Sequence, residues 1–322
     1  MNILVTGAAG FIGSHVVLRL CQAGYQVTGI DNLNSYYDVR LKLARLERLK
    51  QHSNFRFVQI DIADLAGLSQ LFSKGLFQHV IHLAAQAGVR YSIENPMAYA
   101  DSNLTGHLSV LEACRQFHIE HLVYASSSSV YGLNSKVPFG EEDRTDQPIS
   151  LYAATKKSNE MMSYSYASMY QLPSTGLRFF TVYGPWGRPD MALFKFTDAI
   201  LHNKPIELYN NGQQSRDFTY IDDIVEGIFR VLNHRPVALP IPHQLFNIGN
   251  GSPVGLIEFV EALEKCIGRV AQKLYRPMQP GDVPKTWADS ELLFQQLDYR
   301  PQTSVLSGVQ KFVDWYRQFY RL

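Results

Sequence analysis

The chain has 322 residues, 46% of them hydrophobic and 18% charged, an ordinary globular composition that excludes disordered, collagen-like and low-complexity chains. The 30 Lys and Arg against 29 Asp and Glu leave a formal net charge of +1, so no global field draws the protein to nucleic acid or to an anionic membrane. Cys21, Cys114 and Cys266 are far apart and lack C-x-x-C spacing, which argues for reduced core thiols rather than a disulfide framework or a metal site.

At this length two packed lobes are expected, or one large α/β domain with a smaller one attached. Asn2 to Thr6 reads as a buried strand, followed by a glycine-containing turn and an amphipathic helix from Phe11 to Ala23, which Gly24 closes. A second strand over Tyr25 to Ile30 ends at Asp31, a helix covers Leu41 to Leu49, and a third strand covers Phe55 to Ile60. The alternation continues with a helix near Leu65 to Phe72, a strand at His79 to Leu83, a helix from Met97 to Phe117 and a strand at His121 to Ala125. This rhythm predicts a doubly wound parallel sheet of the Rossmann type over residues 1–180. The second half is looser: helices at Tyr152 to Tyr170, Tyr220 to Asn233, Leu256 to Ile267 and Val305 to Tyr320, with a Pro/Gly-rich segment from Tyr183 to Pro189. Residues 181–322 are expected to form a smaller α/β substrate lobe, the chain re-entering the sheet around 216–250. No apolar run would span a bilayer, and the first residues read as a strand rather than a leader, so the expectation is a cytoplasmic protein.

The chemistry-bearing residues cluster at strand ends. Gly7, Gly10 and Gly13 recur between the first strand and helix, as a tight turn against a pyrophosphate at a helix N-terminus requires. Asp31 can accept from ribose hydroxyls and repels a 2′-phosphate, and the neighbouring Ala8, Ala9 and Asn32 offer no compensating cation, so NAD is favoured over NADP. Asp61 ends the third strand and either meets the adenine amino group or caps the next helix. Tyr152 and Lys156 stand at i and i+4, on one helix face, and the run Ser126 to Ser129 follows a strand at the carboxyl edge, where such sheets bind ligands. A free phenol titrates near about 10. The Lys156 ammonium and a positive nicotinamide ring would favour the phenolate, making Tyr152 a base that Ser127 orients.

These motifs resemble the extended short-chain dehydrogenase/reductases of the nucleotide-sugar epimerase and dehydratase group. The resemblance also rests on Val130-Tyr131-Gly132, Leu177 to Pro185, Arg216-Asp217-Phe218 and Pro280-Gly281-Asp282. It implies catalytic roles for Ser127, Tyr152 and Lys156. For NAD it implies the glycine turn with Phe11 and Ile12, then Asp31, Asn32, Asp61 and Ile62. It adds the loop Leu83, Ala84, Ala85 and Gln86, together with Tyr152, Lys156 and Phe179. Arg216, Gln279 and Asp282 match positions near the nucleotide diphosphate.

Dehydratases of the group carry an Asp and a Glu where this chain has Ser128 and Ser129, so elimination lacks its acid and base and epimerisation is expected instead. Decarboxylating members usually carry a glutamate where Ser129 stands. The finer resemblance is to UDP-glucuronate 4-epimerases, through Asp31 to Val39, Ala84 to Arg90 and Tyr183 to Met191. Thr181 stands where galactose-type epimerases usually have Asn. Arg90 and Arg188 are candidates for binding a C6 carboxylate, and Ser128, Ser129, Thr181 and Arg188 for restraining a 4-keto intermediate from losing carbon dioxide. The alternatives are epimerisation of neutral UDP-glucose or UDP-N-acetylglucosamine, and a non-catalytic NAD-sensing module. The resemblance further implies a homodimer through the helices Met97 to Phe117 and Leu151 to Tyr170, with Met161, Met162 and Tyr166 as seam candidates.

Overall fold

In the first strand, β1 (Asn2–Thr6), Ile3, Leu4 and Val5 are fully buried, because a parallel strand covered on both faces has no solvent side to alternate with. A computed structural model describes residues 1–237, 239–279 and 281–322. From β1 the chain runs through α1 (Phe11–Gln22), β2 (Gln26–Asp31), α2 (Val39–Leu49), β3 (Phe55–Gln59), α3 (Leu65–Gly75) and β4 (His79–His82). Asp38 caps α2 and Asp64 caps α3, each carboxylate accepting a first-turn amide N–H. Two short helices, α4 (Tyr91–Glu94) and α5 (Pro96–Tyr99), lead through a π-helical turn at Ala100–Thr105 into α6 (Gly106–Gln116). The single helix expected over Met97 to Phe117 is therefore three segments, with the wide turn in its middle. After β5 (His121–Ser127) come α7 (Leu151–Tyr170), which Ser150 caps, and β6 (Ser174–Phe179).

The second half consists of β7 (Thr181–Tyr183), α8 (Ala192–Leu201), β8 (Ile206–Leu208), β9 (Ser215–Tyr220), α9 (Ile221–Leu232) and β10 (His243–Ile248). It ends with β11 (Pro253–Gly255), α10 (Leu256–Ile267), β12 (Lys273–Tyr275), α11 (Glu291–Leu297) and α12 (Val305–Tyr320). Seven strands form the main sheet in the order β10-β6-β5-β4-β1-β2-β3. The register pairs Thr6 with Ile30 and His82, and Ser127 with Phe179, so the carboxyl ends of these parallel strands share one edge. Strand order reverses between β1 and β4, the crevice where doubly wound sheets bind ligands.

By its internal contacts the chain divides into two compact units. Met1–Leu133, Glu141–Phe179 and Val225–Asn247 form the first; Asn134–Gly140, Phe180–Ile224 and Ile248–Leu322 form the second. The core of the first gathers Leu4, Ile30, Leu68, Phe72, Val80 and Leu122. In the second, Phe218 stacks on Phe259 at 4.0 Å, and Phe139 joins by bonding Trp287 and Asp289 through its backbone. No helix among the described residues is long and apolar enough to cross a membrane.

Candidate active site

The glycine turn is shaped by two close approaches. Gly7 has φ +72°, and a Cβ there would lie 2.8 Å from the Ala84 amide nitrogen; a Cβ on Gly13 would lie 2.0 Å from the Gly7 carbonyl oxygen. Gly10 is the N-cap of α1, and no side chain caps that helix, so its first amide N–H groups are available to an anion. Asp31, at the end of β2, accepts from Ala9 N (3.2 Å) and Leu33 N (2.8 Å), one bond on each oxygen. Burial pushes its carboxyl up, opposed by those two amides and by the charges of Lys42 and Arg45.

Those cations come from α2, and the residues next to Asp31 in sequence did not announce them. Both are engaged locally: Lys42 Nζ donates to Asn34 O (2.7 Å) and Oδ1 (2.8 Å), and fully buried Arg45 donates to Ala9 O (3.0 Å) and Tyr37 Oη (2.6 Å). Asp61 accepts from Asn32 Nδ2 (2.8 Å) and Ala63 N (2.9 Å), while the cap of α3 is Asp64, so the capping role considered for Asp61 falls to its neighbour three residues on. Ile62 is buried and packs in the core.

Leu83, Ala84 and Gln86 follow β4. Thr6 Oγ1 accepts from Leu83 N (3.2 Å) and Ala84 N (3.0 Å) and meets His82 Nδ1 at 2.7 Å, which ties this loop to β1. Gln86 is 5% exposed, yet its Nε2 has no hydrogen-bond partner among the described residues. A buried donor without an acceptor is costly, and a dinucleotide oxygen would satisfy it. An uncapped helix start, a half-satisfied carboxylate and this orphaned amide line one sheet edge, and together they fit a dinucleotide.

Next to it stand Ser127, Tyr152 and Lys156. β5 runs two residues beyond the expected strand, so Ser126 and Ser127 are its last members, and Ser128–Tyr131 turn away as a 3-10 helix. Ser127 Oγ accepts from Ser129 N (3.2 Å) and Ser129 Oγ (3.0 Å). α7 lies along β5: Lys156 Nζ donates to Ala125 O at 2.8 Å, and Ser126 Oγ donates to Glu160 Oε1 at 2.6 Å. Tyr152 sits one turn before Lys156, half-buried, with its ring against Tyr99 at 6.1 Å. Burial lowers the Lys156 ammonium to about 8. Phe179 ends β6 opposite Ser127 in register.

Sequence reasoning missed the residues behind this group. Glu160 and Arg178, each 2% exposed, form a bidentate ion pair at 2.8 and 2.9 Å, and Arg178 also donates to Tyr131 Oη (3.0 Å) and Glu141 O (2.9 Å). Burial alone would raise the Glu160 carboxyl, but Arg178 holds it below its usual range. A lone Arg in the apolar run Leu177 to Phe180 was the available signal. Asn103, in the π-helical turn, holds Gln86 N (2.8 Å) and O (3.0 Å) and donates to Thr155 Oγ1 (3.0 Å), with its carbonyl taken by Asn159. No local pattern marks it.

The second unit carries the remaining candidates. Thr181 begins β7, half-buried, paired with Phe218. Arg188 is held by both carboxylate oxygens of Asp190, two residues on, so its charge is met within its own loop. Arg216 donates to Ser215 O (3.0 Å) and Pro284 O (3.2 Å), while buried Asp217 faces the other way and accepts from Asn250, Gly251 and Ala288 amides. Asp282 N bonds Gln279 O at 3.3 Å, and Gln279 Oε1 is a buried acceptor without a partner among the described residues. Pro280 lies outside the described residues. In the first unit, Arg90 is exposed at the start of α4.

Residues 3–249 match the NAD dependent epimerase/dehydratase family. A protein of Rhizobium meliloti described as a probable UDP-glucuronate 4-epimerase is 49% identical over 336 residues, covering 100% of this chain and 98% of that one. UDP-glucuronic acid 4-epimerase from Bacillus cereus, solved with UDP-glucuronic acid and NAD, superposes with a TM-score of 0.93 at 36% identity, covering 99% of this chain and 100% of that one. UDP-glucose 4-epimerase from Thermotoga maritima, solved with UDP-glucose, superposes with a TM-score of 0.90 at 32% identity, with coverage of 99% and 100%. The chain belongs to the NAD dependent epimerase/dehydratase family.

Proposed function

We propose that this protein is an NAD-dependent UDP-glucuronate 4-epimerase, interconverting UDP-glucuronate and UDP-galacturonate through a 4-keto sugar. The serine run carries the reading. Elimination needs an acid and a base beside the sugar, and Ser127, Ser128 and Ser129 supply hydroxyls only. The solved relative that holds UDP-glucuronic acid and NAD supports the choice of substrate and cofactor.

Bound NAD supplies hydride acceptance and return at C4. Tyr152 takes the C4 hydroxyl proton and gives it back, Ser127 donates a hydrogen bond that orients the sugar oxygen, and the Lys156 ammonium favours the phenolate by proximity. Asp31 accepts from the adenosine ribose, and the α1 N-terminus receives the pyrophosphate. On the nucleotide side Arg216, Gln279 and Asp282 are the binding candidates, with Gln279 Oε1, a buried acceptor that has no partner among the described residues, accepting from the nucleotide. Thr181, Ser128 and Ser129 are the candidates for holding the carboxylate out of line with the new ketone, which slows decarboxylation. Arg188, which the structure pairs with Asp190, is a further candidate for that carboxylate.

That Arg188–Asp190 pair is the one observation favouring a neutral sugar, because a guanidinium already matched by a carboxylate contributes less to binding a second one. The test is incubation with UDP-glucuronate and separation of the products. UDP-galacturonate without net NADH is expected; conversion of UDP-glucose alone, or a UDP-pentose as main product, overturns the reading.

The working form is a homodimer. α6 packs beside α7, and these helices expose Leu108, Met161 and Tyr164, with Met161 64% exposed. Met162 and Tyr166 pack on their own core, so the seam falls to Met161 and its exposed neighbours. A monomeric mass at micromolar concentration would remove the dimer.

A further inference from the structure

The loop after β2 carries Tyr36 and Tyr37, which the chemistry above leaves without a task. Hydrogen bonds within the loop give it its shape. Leu33 N, Asn34 N and Tyr36 N bond successively to Asp31 Oδ1 (2.8 Å), Asn32 Oδ1 (3.0 Å) and Asn34 Oδ1 (3.3 Å). Lys42 and Arg45 then tie Asn34 and Tyr37 down onto α2 and the glycine turn. From this base the Tyr36 ring reaches Tyr91, with centroids 4.6 Å apart.

Tyr91 belongs to the segment after β4, and it is anchored in turn. Its ring lies 6.2 Å from fully buried Tyr99, whose hydroxyl donates to Ala87 O (3.2 Å) and Gly88 O, and its own hydroxyl accepts from Asn95 Nδ2 (3.0 Å). Since β1 lies between β2 and β4, the Tyr36–Tyr91 contact joins the two loops on either side of the glycine turn. The contact therefore bridges the two loops that flank the turn where doubly wound sheets bind a dinucleotide.

We propose that Tyr36 and Tyr91 are positioning residues that strap these loops together over the bound dinucleotide and slow its release. This rests on the NAD-dependent epimerase reading, and the chemistry explains the need. Oxidation at C4 moves a hydride from the sugar to the cofactor and a proton to Tyr152, and the return step needs that same hydride. Loss of NADH between the two steps would leave a stranded keto sugar and an enzyme that cannot finish the reaction.

The test measures cofactor release directly, apart from epimerase activity. The full-length protein is loaded with NADH, and the decay of bound-NADH fluorescence is followed after mixing with excess NAD. Tyr36→Leu and Tyr91→Leu are each expected to speed release about 3- to 10-fold, the scale of one aromatic contact. The double variant should be no faster than the quicker single one, because both act through one contact. Tyr36→Phe, which keeps the ring, should release at the parental rate. Far-UV circular dichroism and the melting midpoint identify any variant that fails to fold, in which case the Tyr36→Phe and remaining single-variant rates decide. Unchanged release in the folded variants, or additive effects in the double, overturns the strap while leaving the epimerase reading intact; a parental protein that binds no NADH overturns both.

Discussion

Lys156 illustrates a residue whose proposed chemistry and whose contribution to stability oppose each other. It is 4% exposed, its ammonium held by the Ala125 carbonyl, and burial lowers it from 10.5 to about 8. Between pH 8 and 10.5 the unfolded chain therefore carries a proton that the folded chain has released, so stability rises with pH across that window. Below it, charging the buried amine costs about 3 kcal/mol. Lys156→Met is expected to lose epimerase activity yet melt higher than the parent at pH 7, the gap narrowing as pH approaches 10. Melting curves across pH 7 to 10 check this, and a lower-melting variant at pH 7 contradicts it. Tyr152 carries the complementary expectation: Tyr152→Phe should lower kcat by about 10²–10⁴-fold, the range for lost proton transfer, with NAD still bound. Full activity in that variant would exclude Tyr152 as the base.

At the scale of elements, α7, β5 and β6 are held together by polar groups as well as by apolar packing. Glu160 takes Ser126 from β5, Arg178 from β6 and, at 3.2 Å, Lys157 from its own helix, so the strand end bearing Ser127 and the helix bearing Tyr152 share one buried carboxylate. Arg178→Met strips that carboxylate of its main partner and should cost about 3–5 kcal/mol, the penalty for stranding a buried charge. Adding Glu160→Gln removes the charge and should recover much of the loss. Urea unfolding of the single and double variants measures this, and a double variant no more stable than Arg178→Met would show that the pair does not act as a unit. Asn103 plays a similar part between the β4 loop and α7, where the π-helical turn puts its amide within reach of Gln86 and Thr155.

Across the molecule, buried histidines set the acid limit. Burial lowers His15 and His243 to about 4, and His82 and His121 to about 3. Below pH 6.5 the unfolded chain takes up protons that these neutral side chains refuse, so folding stability present above 6.5 is lost as pH falls toward 4. At pH 5.5 each contributes a loss of about 1.4 kcal/mol. The melting midpoint should therefore drop clearly between pH 7 and pH 5; a flat profile over that range would mean that these histidines charge without unfolding.

The amino-acid sequence determined the parallel Rossmann sheet, because each strand-turn-helix unit has a local signature: a short apolar run, a glycine or aspartate at the strand end, then a 3.6-residue period. It also placed the chain in its family, since Tyr152 and Lys156 lie one helical turn apart and the serine run stands at the end of one strand, beside the glycine turn and the other motifs that resemble that family. What it left to tertiary structure depends on residues distant along the chain. Arg45 reaches Ala9 and the Lys42 charge reaches Asp31 only because α2 folds back against α1, and Arg178 meets Glu160 only because β6 lies next to β5 under α7. Arg188 looks like a free cation in sequence until its loop curls it onto Asp190. Asn134–Gly140 leaves one unit for the other because Phe139 bonds the backbone of Trp287 and Asp289. Local periodicity reports what a segment prefers by itself, whereas buried charge pairing and loop-to-loop contact are decided only when distant segments exclude water together.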